Sequence, residues 1–198
     1  RAAVEAFQAH PEVGVVYGDA WYTNEEGRPI KRYPVDPYDY DRLGTLCIIC
    51  QPASFLRADV WAEMGGLNRD LHLTLDYDLW LRVAKRYPLL KIDRFLANSR
   101  MYMDNKTLGR RAEWFREIAL ITKRHRGYLP LNYLYGYAGY RLYKEDGFFE
   151  LSQPSIAKYL LTLGMGIWYN PLKPHRFLAE CFGSIGLACR MLMQKWTS

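Results

Sequence analysis

Residues 50–86 read CQPASFLRADVWAEMGGLNRDLHLTLDYDLWLRVAKR and combine turn, helix and acidic signals more densely than the segments around them. The first part predicts a short amphipathic helix from Arg57 to Met64, ended by Gly65-Gly66, where left-handed backbone angles are easily adopted. Leu75 to Arg82 has apolar residues at helical spacing and predicts a second helix. Asp76 lies at the predicted start of that helix, where the helix dipole favours a carboxylate that still faces solvent or a cleft.

The segments on both sides of this stretch predict a mixed α/β domain. Val13 to Tyr17 is an apolar run suited to a buried strand, and Asn24 to Gly27 predicts the turn of a hairpin. Leu89 to Ala97 alternates as a strand does, whereas Leu43 to Cys50 is a strand or a short helix, because periodicity does not distinguish the two. Further helices are predicted at residues 1–10, 110–126, 132–143, 154–169 and 174–195.

Three motifs in this order resemble the acceptor-side half of family 2 glycosyltransferases: QPASF at 51–55, R-x-x-V-x-x-x-x-GG-L-N-x-x-L-H at 57–72, and LDYDLWLR at 75–82. The resemblance extends over roughly Val13 to Tyr140. The chain departs from the usual family pattern at Leu75, where many members have Glu, and at Tyr102, where many have a His that contributes to the metal and diphosphate site. The resemblance implies an α/β fold, the C-terminal part of a GT-A-like, Rossmann-like domain followed by C-terminal helices.

The same resemblance implies an inverting enzyme that moves a sugar from a nucleotide-sugar donor to a hydroxyl of a saccharide or lipid-linked acceptor. Asp76 stands at the position of the family's catalytic base, and a carboxylate there would remove the acceptor proton as the new bond forms. It also implies a divalent metal ion, Mn²⁺ or Mg²⁺, whose ligands lie mainly in the family's N-terminal half. The chain begins within a predicted helix, so we expect that half upstream of Arg1.

A non-enzymatic interpretation stays open beside this one. The chain shows no Gly-rich or Asp-x-Asp signal of a complete donor site, so it is alternatively an acceptor-binding or membrane-docking module, inactive without the N-terminal half. Asp39-Tyr40-Asp41 matches Asp-x-Asp in spelling but follows no apolar run, which indicates a solvated loop. A nucleotide-binding sheet domain unrelated to sugar transfer is a third, weaker option.

Four residues are candidate contacts in the acceptor cleft, each with a structural alternative. Asp19 follows a predicted strand and would line the cleft or cap a turn. Gln51 and Ser54 would hydrogen-bond a substrate hydroxyl or cap the backbone. Trp80 would form a platform for the acceptor or pack in the core.

Arg100 and Lys106 are the candidate contacts on the donor side. They would meet the diphosphate as cations, or they belong to a solvated basic loop. Tyr102, between them, is a poor metal ligand because its hydroxyl loses its proton only near pH ~10. We therefore expect no metal ligand from this segment.

Composition places the chain among globular proteins. A length of 198 residues is enough for one domain with a substantial core, and 49% apolar with 24% charged residues excludes a disordered chain. The net charge of +6 is uneven, because Lys and Arg outnumber Asp and Glu by 14 to 7 after residue 100 but stand at 13 to 14 before it. Without a nucleic-acid-binding motif, this basic half predicts an anionic membrane surface as partner rather than nucleic acid.

Three segments are expected along the chain. Residues 1–108 form the acceptor-side part of the catalytic domain, 109–150 a helical extension, and 151–198 basic amphipathic helices in peripheral contact with a membrane. Between these last helices lies a group of residues typical of interfacial anchors: Trp168, Tyr169, Lys173, His175 and Arg176. Four cysteines without a disulfide pattern, and no signal peptide, predict a cytoplasmic protein, at the cytoplasmic face of a membrane.

Overall fold

A computed structural model describes residues 1–101, 109–143 and 155–184. It shows a mixed α/β protein that divides into two compact units, Arg1–Glu117 and Ile118–Ser198. The division falls within a helix, Arg111–Arg126, later than the predicted end of the sheet domain at residue 108. The predicted boundary after residue 150 lies outside the described residues.

The four-stranded mixed sheet of the first unit is built around β1 (Val15–Thr23). Along one edge, β1 pairs antiparallel with β2 (Pro29–Arg32) and β3 (Ser54–Leu56). Along its other edge, it pairs in parallel with β4 (Leu89–Arg100). Val15, Val16 and Tyr17 are fully buried although successive side chains point to opposite faces, so both faces of the sheet are covered there, and the apolar run in the sequence is continuous rather than alternating. The predicted strands and hairpin are thereby confirmed.

Gly18 marks an irregularity in the pairing of β1 with β4. The register shifts on both sides of Asp19, which pairs with Phe95. A Cβ atom at Gly18 would lie 2.5 Å from the backbone oxygen of Arg94, so only glycine fits the close approach of the two strands. The shift turns the side chains of this part of β4 toward a second cavity, described below.

The helices of the first unit include the two predicted in the central stretch. They are α1 (Ala2–Ala9), α2 (Tyr40–Thr45), α3 (Ala58–Glu63) and α4 (Leu75–Val83), with a 3-10 turn at Gln51–Ala53. Gly65 and Gly66 end α3 with φ values of 71° and 70°, as predicted. Asp39 accepts a hydrogen bond from the Arg42 amide at 2.6 Å and caps α2. The Asp39-Tyr40-Asp41 segment, predicted as a solvated loop, therefore forms the start of a helix.

The segment Leu43 to Cys50, left open between strand and helix, is neither throughout. Its beginning belongs to α2, and residues 47–50 have no regular structure. Leu43, Ile48 and Ile49 are nevertheless almost completely buried. Their apolar character therefore reflects burial in the core and not a repeating element.

The second unit contains helices only, within its described residues. After the last part of α5 (Arg111–Arg126) come α6 (Leu131–Tyr143), α7 (Ile156–Tyr169) and a helix over residues 174–184. Asn170, at the end of α7, accepts a hydrogen bond from the Leu129 amide at 2.6 Å and donates one to the Leu129 carbonyl at 3.1 Å. Within the described ranges, no helix has both the length and the apolar content needed to cross a membrane.

Candidate functional site

The site is organised around the first turn of α4. Thr74 is the residue before that helix, but its side chain makes no capping bond to the helix amides. The carboxylate of Glu117 instead holds the loop before the helix, because it accepts hydrogen bonds from the backbone amides of His72 at 2.8 Å, Leu73 at 2.9 Å and Thr74 at 3.0 Å. It also accepts from the Thr74 hydroxyl at 2.9 Å. A carboxylate at this position satisfies free amides and complements the helix dipole.

Burial and hydrogen bonding act in opposite directions on Glu117. Burial favours its neutral form, but the bonds from Leu73, His72 and Thr74 favour the carboxylate more strongly, so the pKa of Glu117 is lowered. The residue is therefore a carboxylate at neutral pH. It fixes the loop that leads directly into Asp76.

Asp76 is the second residue of α4 and is partly buried. Burial raises its pKa, and the backbone amides of Tyr77 and Asp76 itself oppose that rise only in part. Its Oδ1 accepts the Tyr77 amide proton at 2.8 Å. An aspartate whose pKa is raised in this way is a stronger base than an exposed one, as general base catalysis requires.

Two packing arrangements hold the helix that carries Asp76. The Tyr77 hydroxyl donates to the Leu43 carbonyl at 2.7 Å in the core. On the other side of the helix, Arg82 forms an ion pair with the buried Asp78 at 2.9 Å and donates to the carbonyls of Met64 at 2.6 Å and Gly66 at 2.7 Å. The four-residue spacing of Asp78 and Arg82 in the sequence predicts this ion pair, which the structure confirms, and Arg82 links α4 to the glycine turn after α3.

Asp76 lines a cavity of about 450 Å³. Three other predicted site residues, Gln51, Ser54 and Trp80, line the same cavity. The rest of the lining is apolar and consists of Leu56, Trp61, Leu67, Leu73, Leu75 and Leu79. A cavity of this size, mostly apolar with a few polar groups, is typical of sites that bind small molecules or the end of a larger ligand.

Two of the predicted cavity residues, Ser54 and Trp80, also have structural roles. The Ser54 hydroxyl donates to the Gln51 carbonyl at 2.7 Å and closes the turn before β3. Its oxygen keeps the capacity to accept a hydrogen bond from a ligand. Trp80 is only 4% exposed, and its indole N–H has no hydrogen-bond partner within the described residues. It therefore belongs both to the core and to the cavity wall.

The structure does not bring Asp19 to this cavity. Its carboxylate forms an ion pair with Lys91 at 3.2 Å and lines a separate cavity of about 640 Å³, together with Arg32, Asp93 and Arg94. Lys91 pairs with Tyr17, which lies on the same face of β1 as Asp19, so strand pairing brings the two charged groups together. Asp19 thus forms an ion pair instead of facing the cavity that contains Asp76.

Of the two donor-side candidates, only Arg100 lies within the described residues, and it does not line the cavity. Arg100 is exposed at the last position of β4, where its backbone pairs with Thr23. Lys106 and Tyr102 lie outside the described residues.

Sequence reasoning missed Glu117 and Trp61. Glu117 lies more than forty positions after the loop that it holds, in a helix whose pattern marks it as an ordinary polar residue. Trp61 belongs to α3 and is 43% exposed at the cavity. The sequence signal for Trp61 was a large aromatic residue on the polar side of an amphipathic helix. The sequence gives no such signal for Glu117.

The residues near Asp76 also include two thiols. Cys50 is buried, and burial raises its pKa to about 12 despite a hydrogen bond from the Ala53 backbone, with a smaller contribution from the negative charge of Asp76. Cys47 has a raised pKa for the same leading reason. Both are free thiols, as predicted, and burial keeps them protonated and unreactive.

No group of three or more His, Cys, Asp or Glu side chains within residues 1–101, 109–143 and 155–184 is arranged to hold a metal ion. Comparison of the chain with models of protein families and with curated proteins finds no match.

Proposed function

We propose that the chain carries the acceptor-side part of a GT-A-like, inverting glycosyltransferase, with Asp76 as general base. The main support is the position of Asp76, which lines a cavity at a helix start with a pKa raised by burial. The motifs of residues 51–82 support the same function independently. Gln51 and Ser54 supply polar groups beside the proposed base.

In the proposed reaction, an acceptor hydroxyl oxygen attacks the anomeric carbon of a nucleotide-sugar. The new carbon–oxygen bond forms as the bond to the leaving nucleoside diphosphate breaks on the opposite face, which inverts the configuration. The hydroxyl proton passes to the Asp76 carboxylate. The raised pKa of Asp76 increases its affinity for that proton.

The cavity wall supports a saccharide or lipid-linked acceptor. Trp61 and Trp80 offer aromatic surface of the kind against which the apolar face of a sugar ring packs. Leu56, Leu67 and Leu73 extend this surface without adding charge. A highly charged acceptor would lose its hydration here without compensation.

The sequence shows no signal of a complete donor site, so the proposal is tested by measuring transfer on the native protein, in which we expect this chain to be joined to a donor-binding part. Radiolabelled nucleotide-sugars would be combined with free saccharides and with polyprenyl-phosphate-linked saccharides. Asp76→Asn is expected to lower kcat about 10²- to 10⁴-fold without lowering thermal stability. Asp70→Asn, an exposed aspartate in the preceding loop, is the matched control and should retain activity. Turnover by Asp76→Asn close to that of the control would refute the base assignment.

The second candidate is an acceptor-binding module without catalysis of its own, and the predominantly apolar cavity wall favours it. In that case the native protein that contains the chain would transfer no sugar from any donor. A saccharide acceptor would nevertheless quench tryptophan fluorescence in a saturable manner, and Trp61→Ala would weaken that binding. Absence of both transfer and binding would exclude both candidate functions.

A further inference from the structure

We propose that the second unit binds the surface of an anionic lipid bilayer, through the corner where α7 ends. This inference does not depend on the proposed glycosyl transfer. Two large apolar side chains at that corner lie in solvent: Trp168 is 81% exposed and Leu172 is 89% exposed. Exposure of this extent is rare for such residues unless they meet a partner.

The apolar surface continues along α7. Ile156, Leu160 and Ile167 are 82%, 62% and 57% exposed, and their spacing of four and then seven residues places them on one side of the helix. Lys158, Thr162 and Gly166 are the buried residues of the same helix and mark its opposite, packed side. The exposed side of α7 therefore forms one apolar strip that ends at Trp168.

The charge of the second unit indicates which kind of partner its apolar strip would bind. Its described residues, 118–143 and 155–184, contain seven Lys and Arg, all but Lys158 at least partly exposed, and a single acidic residue, Glu180. The Glu180 carboxylate is occupied, because it accepts hydrogen bonds from the Tyr128 hydroxyl and from the Leu131 amide. The surface around the apolar strip is thus cationic, and it is complementary to an anionic partner.

Three of these cations lie close to the exposed corner. The Lys123 ammonium lies 5.3 Å from the ring centroid of Tyr169, the neighbour of Trp168. Lys173, next to Leu172, packs its ammonium against Gly127, where an added Cβ would lie 2.2 Å from it. Arg176 reaches the carbonyl of Arg126 at 3.5 Å. Cations beside an exposed tryptophan are the arrangement found at membrane interfaces.

An anionic bilayer accounts for both features of this corner. Its headgroups attract the cations, and its acyl boundary receives the indole of Trp168 and the side chain of Leu172. Nucleic acid would satisfy the cations but would leave the aliphatic strip of Ile156 and Leu160 in water. A second copy of this chain would bury the strip but would bring cations against cations.

Co-sedimentation with vesicles tests the proposal on the whole chain. Phosphatidylcholine vesicles and phosphatidylcholine vesicles with one quarter phosphatidylglycerol would be compared at two salt concentrations. We expect binding to the anionic vesicles, weakening with salt, and a blue shift of tryptophan emission. Lys123→Gln and Lys173→Gln should each weaken binding about fivefold. Trp168→Ala with Leu172→Ala should weaken it about tenfold or more.

Ile30→Ala is the matched control, since Ile30 is 54% exposed in the first unit and should bind like wild type. Far-UV circular dichroism checks that the exposed substitutions leave the helices intact. The proposal is overturned if the wild-type chain ignores anionic vesicles, or if the corner variants bind as well as Ile30→Ala. It is overturned equally if the chain dimerises through Leu172, or if it prefers RNA and vesicles do not compete.

Discussion

Glu117 holds the loop before Asp76, and its replacement by Ala removes four hydrogen bonds at once. Three come from consecutive backbone amides, His72 to Thr74, at 2.8 to 3.0 Å, and the fourth from the Thr74 hydroxyl at 2.9 Å. Without the carboxylate, the amides before α4 lose their cap. The Asp76 side chain then loses the fixed loop that sets its position.

The expected loss of stability follows from the type of hydrogen bond that is removed. A hydrogen bond to a charged group contributes about 1.5–3 kcal/mol, and a helix cap about 0.5–2 kcal/mol. The four bonds do not add, because they share one carboxylate and His72 lies at the surface. We expect Glu117→Ala to lower the free energy of unfolding by about 2–4 kcal/mol. Glu117→Gln keeps one acceptor oxygen, which can retain the three bonds made to Oε2, so about 1–2 kcal/mol is expected.

Urea denaturation followed by circular dichroism measures both variants. The lowered pKa of Glu117 means that its contribution is present above the ordinary glutamate pKa of about 4.3 and is lost as pH falls through the lower, folded value. The difference between wild type and Glu117→Gln should therefore shrink on acidification.

Glu113→Ala in the same helix is the control, because Glu113 forms only an exposed ion pair with Arg110, and its loss should cost about 0.5 kcal/mol or less. If Glu117→Ala were no less stable than Glu113→Ala, the capping role would be wrong. A stability difference that stays constant down to acidic pH would contradict the charge assignment.

Three further outcomes follow from the first unit. Asp76→Asn should raise thermal stability at pH 7. The raised pKa of Asp76 means that the wild-type protein loses stability as pH rises through the folded value, and Asn does not ionise. At a pH below the unfolded aspartate pKa of about 3.9, the stability gain of the variant should vanish. Arg82→Ala removes the ion pair with Asp78, 2% exposed, and the hydrogen bonds to the carbonyls of Met64 and Gly66, and should cost about 3–5 kcal/mol in urea denaturation. Gly18→Ala should lower stability by about 1–3 kcal/mol, because its Cβ would lie 2.5 Å from the Arg94 carbonyl, and unchanged unfolding would contradict that close approach.

Local structure could be predicted from the sequence wherever neighbouring residues decide it. The spacing of apolar residues predicted α4, and the paired glycines predicted the end of α3, since only glycine adopts φ near 70° without strain. Four-residue spacing in a helix predicted the pairing of Asp78 with Arg82. Gln51, Ser54, Asp76 and Trp80 belong to one motif-rich stretch, and the fold brings them to one cavity.

Tertiary structure alone decided the contacts between distant segments. Glu117 caps a loop more than forty residues before it, and no local pattern distinguishes it from Glu113 in the same helix. Asp19 lines a different cavity from the expected one because it shares a face of β1 with Tyr17, whose partner on β4 is Lys91, and the two charged groups lie 3.2 Å apart. Strand pairing and long-range hydrogen bonds depend on how distant elements pack together, so the sequence does not predict them. Periodicity and turn residues act over a few neighbours, so they can be predicted from the sequence.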